Sequence, residues 1–271
     1  LVISVPLVYF CGNLGIVPYL VSVSGSVMLA SWWYARKIPV ESLHTDLKSF
    51  LDESNKLISL GIALMASGLM TAVVFYVARV LIVHQYGLAE AGLYQAASTL
   101  SNVYVGFILS AMAMDFYPRL SAVSTDNLQC NKLVNEQAEI GLLMASPGLV
   151  ATLSFAPMVL NIFYSPKFSA AYEILQWQVL GTFIRVVSWP LGYMLIAKGE
   201  GKFYFFTELS ANAAHLIFIW LALNLFGLKG AGIGFFGMYL LYVIMMMIIM
   251  KNINGFTWSA NIFHLGFIIL P

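Results

Sequence analysis

Apolar positions run in long uninterrupted stretches along this chain, and polar positions gather in short segments between them. Seven stretches hold no Asp, Glu, Lys or Arg: Leu1–Ala35, Leu57–Ala78, Ala91–Met114, Ile140–Pro166, Leu209–Leu228, Gly230–Met250 and Asn252–Pro271. About 20 apolar residues cross the hydrocarbon core of a bilayer as a helix. The roughly ten-residue alternation of a transmembrane β-barrel is absent. The pattern therefore predicts an all-α, polytopic membrane protein. Its spans fall at 16–34, 57–82, 91–114, 138–163, 170–197, 203–225 and 230–250, and an incomplete one begins near Trp258. The span 16–34 closes on Trp32, Trp33 and Tyr34, aromatics suited to the membrane interface.

Two polar segments carry an apolar stripe. In 36–56, Leu43, Leu47, Phe50 and Leu51 fall at i, i+4, i+7 and i+8, one face of a helix lying along the membrane surface. The segment 124–139 predicts a second surface helix, with Leu128, Leu133 and Val134 turned to lipid. Thirteen Lys and Arg then test the boundaries. Nine lie on one side of the spans, in 36–56, 119–132, 198–202 and at Lys251; only Lys167 and Lys229 lie on the other, and Arg79 and Arg185 fall within spans. The excess of cations places the nine-residue side in the cytoplasm.

The turns Gly12-Asn13-Leu14-Gly15 and Gly227-Leu228-Lys229-Gly230 echo each other 215 residues apart, and both open an apolar span facing the outside. A repeat of six spans suits two six-helix bundles in tandem. The expected organisation is then 1–35 as the last spans of an N-terminal bundle and 36–56 as a cytoplasmic amphipathic linker. Residues 57–250 form a C-terminal six-helix bundle, and 251–271 begin a further span. Both ends read as cut within apolar runs, with most of the first bundle absent.

Composition agrees. Hydrophobic residues make up 61% and charged residues 9%, with a mean hydropathy of +0.86, where a soluble domain carries about 25% charged. The net charge of +1 gives no case for nucleic acid. Cys11 and Cys130 have no metal or redox spacing and read as apolar fillers. No Walker A loop or catalytic constellation is present, so neither a cofactor nor an enzyme activity is expected. Gly230-Ala231-Gly232-Ile233-Gly234 follows a span rather than a strand, and reads as a close helix-packing motif, not a dinucleotide loop.

The informative residues are charges within spans, because a mid-helix arginine costs about 2.5–3.5 kcal/mol to insert. Arg185 either faces a cavity as part of an anion site or pairs with a carboxylate of another helix. Pro190 follows it after Trp189, and a helix broken there beside a cation would form a midplane anion site. Arg79 either does the same or snorkels to the outer interface. Glu208 is a buried partner or a protonatable switch, and His215 a proton relay or a hydrogen-bonded structural residue. Ser98, Thr99 and Asn102 suit sugar hydroxyls or helix–helix hydrogen bonds.

Several short motifs carry a family resemblance: Gly92-Leu93-Tyr94-Gln95-Ala96-Ala97, Tyr104-Val105-Gly106-Phe107, Asp115-Phe116-Tyr117-Pro118-Arg119-Leu120, Val134-Asn135-Glu136-Gln137, Gln176-Trp177-Gln178 and Gly192-Tyr193-Met194-Leu195-Ile196-Ala197-Lys198. On these the stretch 57–250 resembles the polysaccharide flippases, the O-antigen and lipid-linked oligosaccharide translocases of the multidrug/oligosaccharidyl-lipid/polysaccharide exporter superfamily. The resemblance implies tandem six-helix bundles, alternating access and a polyprenyl-diphosphate-linked glycan as cargo, in the bacterial inner membrane. Polysaccharide polymerase or chain-length proteins are its candidate partners. Such a cargo needs cations for phosphate and aromatic or polar groups for sugar. Arg185 and Arg79 fit the first role; Trp189, Tyr94, Trp177, Tyr104 and Tyr193 are candidates for the second. Asp115 and Arg119 are spaced for an i,i+4 pair, and Pro118 should end or bend its span there, as a cytoplasmic gate hinge or a plain helix terminus. With Glu208 they form the candidate gating or coupling set. A drug/cation antiporter of the same superfamily is the alternative function, and a membrane-embedded glycan polymerase or ligase ranks below it.

Overall fold

The computed structural model describes residues 16–37 and 47–269. The expected span tail 1–10, the turn 11–15, and the Leu43 and Leu47 side chains of the linker face lie outside the described residues. Among those residues every regular element is helical. The chain divides into two compact units, residues 1–53 and 54–271.

In the first unit, α1 (Ile16–Ala35) has 20 residues, about 30 Å at the α-helical rise. Its last turn exposes Trp32, Trp33 and Tyr34. The Arg36 guanidinium lies 3.5 Å from the Trp32 ring centroid and the Lys37 ammonium 3.7 Å from that of Trp33, so the interfacial aromatics also hold the first cations beyond the helix.

The second unit is built from α2 (Leu47–Tyr86, which belongs to this unit from residue 54 on and of which 57–86 is membrane-length), α3 (Leu88–Ala122), α4 (Asn127–Ser154), α5 (Ala156–Phe163), α6 (Tyr172–Ala197), α7 (Gly201–Phe226), α8 (Gly230–Asn254) and α9 (Ala260–Ile269). Among the described residues four stretches are long and apolar enough to cross a membrane, and the bent pair α4–α5 makes a fifth. One of the four, Gly201–Asn254, folds back on itself. Gly230 lies against Ala222, Gly234 against Ile219 and Gly237 against Phe218; one partner number rises as the other falls, which defines an antiparallel hairpin.

Three of its glycines, Gly230, Gly232 and Gly234, are required by close approach. A Cβ at Gly230 would sit 2.1 Å from the Ala222 carbonyl oxygen, and one at Gly234 2.7 Å from the Ile219 nitrogen. The intervening Gly232 faces the other way, where a Cβ would meet the Ile174 carbonyl oxygen at 2.6 Å. The glycine run thus wedges α8 against α7 on one side and α6 on the other, as small residues do between membrane helices.

Helix α6 is the central element, packed against α3, α4 and α8. Of its apolar window 67% is buried, against 11% for α2. One core cluster joins Val105, Leu142, Val179 and Phe183; another, towards the ends of α3 and α6, joins Phe116, Val134, Met194 and Met246. The cations sort to the ends. Lys198 donates from Nζ to the Ser124 carbonyl (3.0 Å) and to Asn127 Oδ1 (2.7 Å), and Asn254 Nδ2 donates to Asn131 Oδ1 at 2.9 Å. Arg119, Lys132, Lys198 and Lys251 therefore share one end of the unit. The Lys229–Glu173 pair, at 3.6 Å, closes the other.

Three expectations about helix ends are corrected. The segment 124–139 is not a separate surface helix: Asp126 caps the backbone N–H groups of Leu128 and Gln129, and α4 runs on to Ser154. Cys130, Val134, Ala138 and Leu142 repeat every four residues and form one buried stripe, so Val134 faces the core and only Leu128 is fully exposed. The span 138–163 is not straight but turns by 88° between Ser154 and Ala156. Pro157 has no N–H to extend α4, and it suits the first turn of a new helix. Conversely, α3 continues through Pro118 to Ala122 and α6 through Pro190 to Ala197. Neither proline ends or breaks its helix, because packing of α6 on both sides outweighs one lost backbone bond.

Candidate functional site

Two cavities meet inside the second unit, and Arg185 lies where they join. The larger, about 540 Å³, is enclosed by α2, α3, α6, α7 and α8. The smaller, about 410 Å³, lies among α2, α3, α6 and α8. Thr71, Phe75, Arg185 and Tyr239 border both.

Arg185 projects from the middle of α6, and its Nη1 donates to Asn102 Oδ1 on α3 at 2.6 Å. Among the described residues no carboxylate, Glu208 included, comes within ion-pair distance of it, so of the two readings from sequence the ion pair is not formed. Glu208 does face the larger cavity. It accepts from Ser67 Oγ of α2 at 3.2 Å and from the Tyr242 hydroxyl of α8 at 3.1 Å, which ties three helices at one carboxylate.

The wall of the larger cavity is aromatic toward the cationic end of the unit. Trp189 and Tyr193 lie 4.5 Å apart between centroids, Phe116 packs beneath Trp189 at 5.9 Å, and Tyr117 meets Tyr193 edge-on at 6.0 Å. His215 also borders this cavity, between the edges of Phe75 and Phe235. Its Nε2 is buried without a hydrogen-bond partner among the described residues.

Arg79 and Tyr94 border the smaller cavity with Gln95, Ser98, Thr99 and Asn102. Arg79 is exposed and donates to Gln95 Oε1. Tyr94 is only 2% exposed and belongs to the core. Ser98 accepts from Gln178 Nε2 at 2.8 Å, so the α3 polar residues both bridge to α6 and line a cavity; the two readings from sequence are compatible.

Other candidates lie elsewhere. Asp115 and Arg119 form their i,i+4 pair at 3.0 Å, but on an exposed helix face, with neither residue lining either cavity. Within that motif it is Tyr117 that reaches the larger cavity, with Phe116 buried behind it. Trp177 packs on Phe236 and over Gly232. Tyr104 fills the space above Gly148 and donates to the Met144 carbonyl at 2.7 Å. Sequence reasoning missed Ser67, Thr71, Tyr239 and Tyr242. Nothing distinguishes a cavity-facing tyrosine from an interfacial one until the helices are placed.

The Asn-Glu-Gln segment also acquires a structural part. Asn135 accepts from the Ser259 N–H at 2.7 Å and donates to the Thr257 carbonyl at 3.1 Å, while Glu139 accepts from Ser259 Oγ at 2.6 Å. It fastens the α8–α9 connection to α4.

Comparison with known proteins gives concordant results. Lipid III flippases of Escherichia coli (strain K12) and of Shigella flexneri are each 25% identical over 235 residues, 85% of this chain and 54% of theirs. The chain thus spans about half the length of the curated relatives it matches. No solved structure matches it. Residues 2–173 match the family described as polysaccharide biosynthesis protein. That match covers more than half of this all-helical membrane chain, including α3 and the Asn102 that holds Arg185, and on this ground the chain belongs to the polysaccharide biosynthesis protein family.

Proposed function

We propose that this chain is part of a flippase moving a polyprenyl-diphosphate-linked oligosaccharide, an O-antigen or related surface-polysaccharide unit, from the cytoplasmic to the outer leaflet by alternating access. It acts as a transporter rather than an enzyme, in the bacterial inner membrane, with its 36–56 linker in the cytoplasm. It would work beside polysaccharide polymerase or chain-length proteins. The observation that carries this reading is the placement of Arg185. A guanidinium in the middle of a membrane helix, held by a neutral amide and bordering two cavities, keeps its charge available to an anion. The Trp189–Tyr193 wall supports sugar packing in the same space.

The test is surface glycan in a strain lacking its own flippase, with protein level measured in parallel. Arg185→Ala should abolish export while the protein still inserts. Arg185→Lys should retain part of it, since a point charge holds phosphate without the bidentate fork. Normal export by well-expressed Arg185→Ala protein overturns the role.

A drug/cation antiporter is the second reading, and Glu208 favours it, being a cavity carboxylate hydrogen-bonded to Ser67 and Tyr242. Glu208→Gln decides between them. An antiporter whose cation sits on this carboxylate loses transport, whereas glycan export that persists in Glu208→Gln protein supports the flippase.

A further inference from the structure

The bend that ends α4 leaves a short helix whose setting the bundle does not explain. From Ile140 to Pro166 the chain holds no charged residue, yet it turns by 88° after Ser154 and α5 leaves nearly at a right angle. The level of that turn follows from a helix pair. Lys198 donates to the Ser124 carbonyl and to Asn127 Oδ1, so the start of α4 and the end of α6 meet. From there the two helices run packed together over 28 and 26 residues, about 40 Å each at the α-helical rise. Ser154 and Tyr172 therefore stand level. Glu173, which pairs with Lys229 at the end opposite the clustered cations, marks the same level. By the charge count that end is the outer interface, and a helix at right angles to α4 lies in its plane.

The faces of α5 agree with that placement. Ala156 and Leu160, one turn apart, are buried on the side where α5 packs against α6 and the 3₁₀ turn Pro166–Ala171. Phe155, Met158 and Ile162, at i, i+3 and i+7, form the opposite face and are exposed. Asn161, the one polar residue of α5, is exposed as well. Phe155 joins this face to the exposed Ile140, Leu143, Met144 and Val150 of α4, so one apolar strip climbs α4 and turns the corner. Where it ends, Tyr164 and Phe168 stack at 5.0 Å with the exposed Lys167 between them in sequence, residue types suited to a headgroup layer.

From this we infer that α5 is an in-plane helix of the outer leaflet and that its partner is phospholipid. Acyl chains cover Phe155, Met158 and Ile162, and headgroup phosphates lie near Lys167. The face continues the apolar surface of a membrane helix, which favours lipid over another protein or a second copy of this chain. Seated there, α5 holds the joined ends of α4 and α6 at one height in the bilayer. The inference goes beyond the flippase reading and does not rest on it; the choice of leaflet rests on the charge count.

The test is nitroxide labelling of single cysteines in the full-length protein, with Cys11 and Cys130 replaced, in nanodiscs of phosphatidylethanolamine and phosphatidylglycerol. Met158→Cys and Ile162→Cys report on α5, and Leu143→Cys and Val150→Cys on α4. All four side chains are exposed, so labelling leaves the core intact, which a monodisperse profile and an unchanged thermal midpoint check. Collisions with dissolved oxygen, which concentrates in lipid, should exceed those with a water-soluble nickel chelate at both α5 positions. The depth read from their ratio should be the same at Met158 and Ile162, yet change by about 10 Å between Leu143 and Val150, the rise over seven residues. Nickel collisions in excess at Met158 and Ile162 overturn the proposal, because α5 then stands in water. So does a depth difference of about 6 Å between them, the rise over four residues of a helix that crosses the membrane. Few collisions with either reagent overturn it too, because protein then covers the face. A second measurement needs no cysteine: p-benzoylphenylalanine in place of Phe163, irradiated in cells, should give a lipid adduct. An adduct to another protein or to a second copy of this chain assigns the face to that partner and overturns the lipid reading.

Discussion

Gly230, Gly232 and Gly234 show how much a single missing methyl group decides in this protein. Each stands where an added Cβ would come within 3 Å of a neighbouring helix backbone, and backbone cannot rotate away as a side chain can. Gly234→Val should therefore destabilise the unit by more than the about 1–3 kcal/mol of ordinary overpacking. Thermal unfolding in detergent would read it as a lowered midpoint and a reduced membrane level. Gly92, with open space around its Cβ position, is the control, and Gly92→Ala should be nearly neutral. The same motif was legible in the sequence as a packing signal, because its glycines recur on a span with no strand before it. Arg185 was legible too, as a mid-span charge that must meet something. Its partner was not: an asparagine 83 positions earlier in the chain carries no mark in one sequence that it is the one facing this arginine.

Among the elements, the prolines separate what local rules decide from what packing decides. Pro157 stands at the start of α5 and the chain turns by 88° just before it; Pro118 and Pro190 lie inside α3 and α6 without ending them. Local sequence does not distinguish these cases, which is why the break was expected at Pro190 and found at Pro157. Pro190 is buried and its helix is enclosed by α3, α4 and α8, so neighbours fix the path of the backbone. Pro190→Ala, which restores one backbone donor, should leave glycan export close to wild type, since the enclosing helices already hold the backbone on this path. A complete loss of export in a well-inserted Pro190→Ala protein would show that the proline shapes the cavity after all. The α8–α9 connection offers the opposite case, fastened by side chains. Asn135→Ala removes two of its hydrogen bonds, worth about 1 kcal/mol each. Limited trypsin treatment should then cut after Lys251 faster, and an unchanged rate would mean that packing of α9 alone holds the loop.

For the whole molecule, the charge count predicts an orientation, and the structure gathers Arg119, Lys132, Lys198 and Lys251 at one end of the second unit through the Lys198 and Asn254 hydrogen bonds. Single cysteines in a cysteine-free background should be labelled from the cytoplasmic side at Ser124 and from the outside at Lys167. Outside labelling at Ser124 would reverse the orientation. The all-α, multi-pass class was readable because spans of about 20 apolar residues leave little ambiguity. The cavities were not readable, because they arise between helices far apart in sequence, and burial in a membrane protein does not follow hydrophobicity. Val134 and Leu128 illustrate this: both are apolar, both lie on the same segment, and one is at 0% exposure and the other at 80%.

The enclosure of α6 has a consequence for how the protein is made. This helix carries Gln178, Thr182, Arg185 and Ser188, three of them fully buried, and these polar groups suit it poorly to lipid by itself. Gln178 Nε2 and Arg185 Nη1 donate to Ser98 and Asn102 of α3, which leaves the ribosome earlier, Thr182 and Ser188 donate to carbonyls of α6 itself, and α8, which covers the other side, is synthesised later. During synthesis α6 therefore has a ready-made polar partner but an open flank. Retention in the bilayer at that moment depends on α3, and a nascent chain with both Ser98 and Asn102 replaced by leucine should slip α6 out of the membrane before α8 arrives. The polar stripe on α3 would then serve biogenesis as an internal chaperone, ahead of any part it plays in transport.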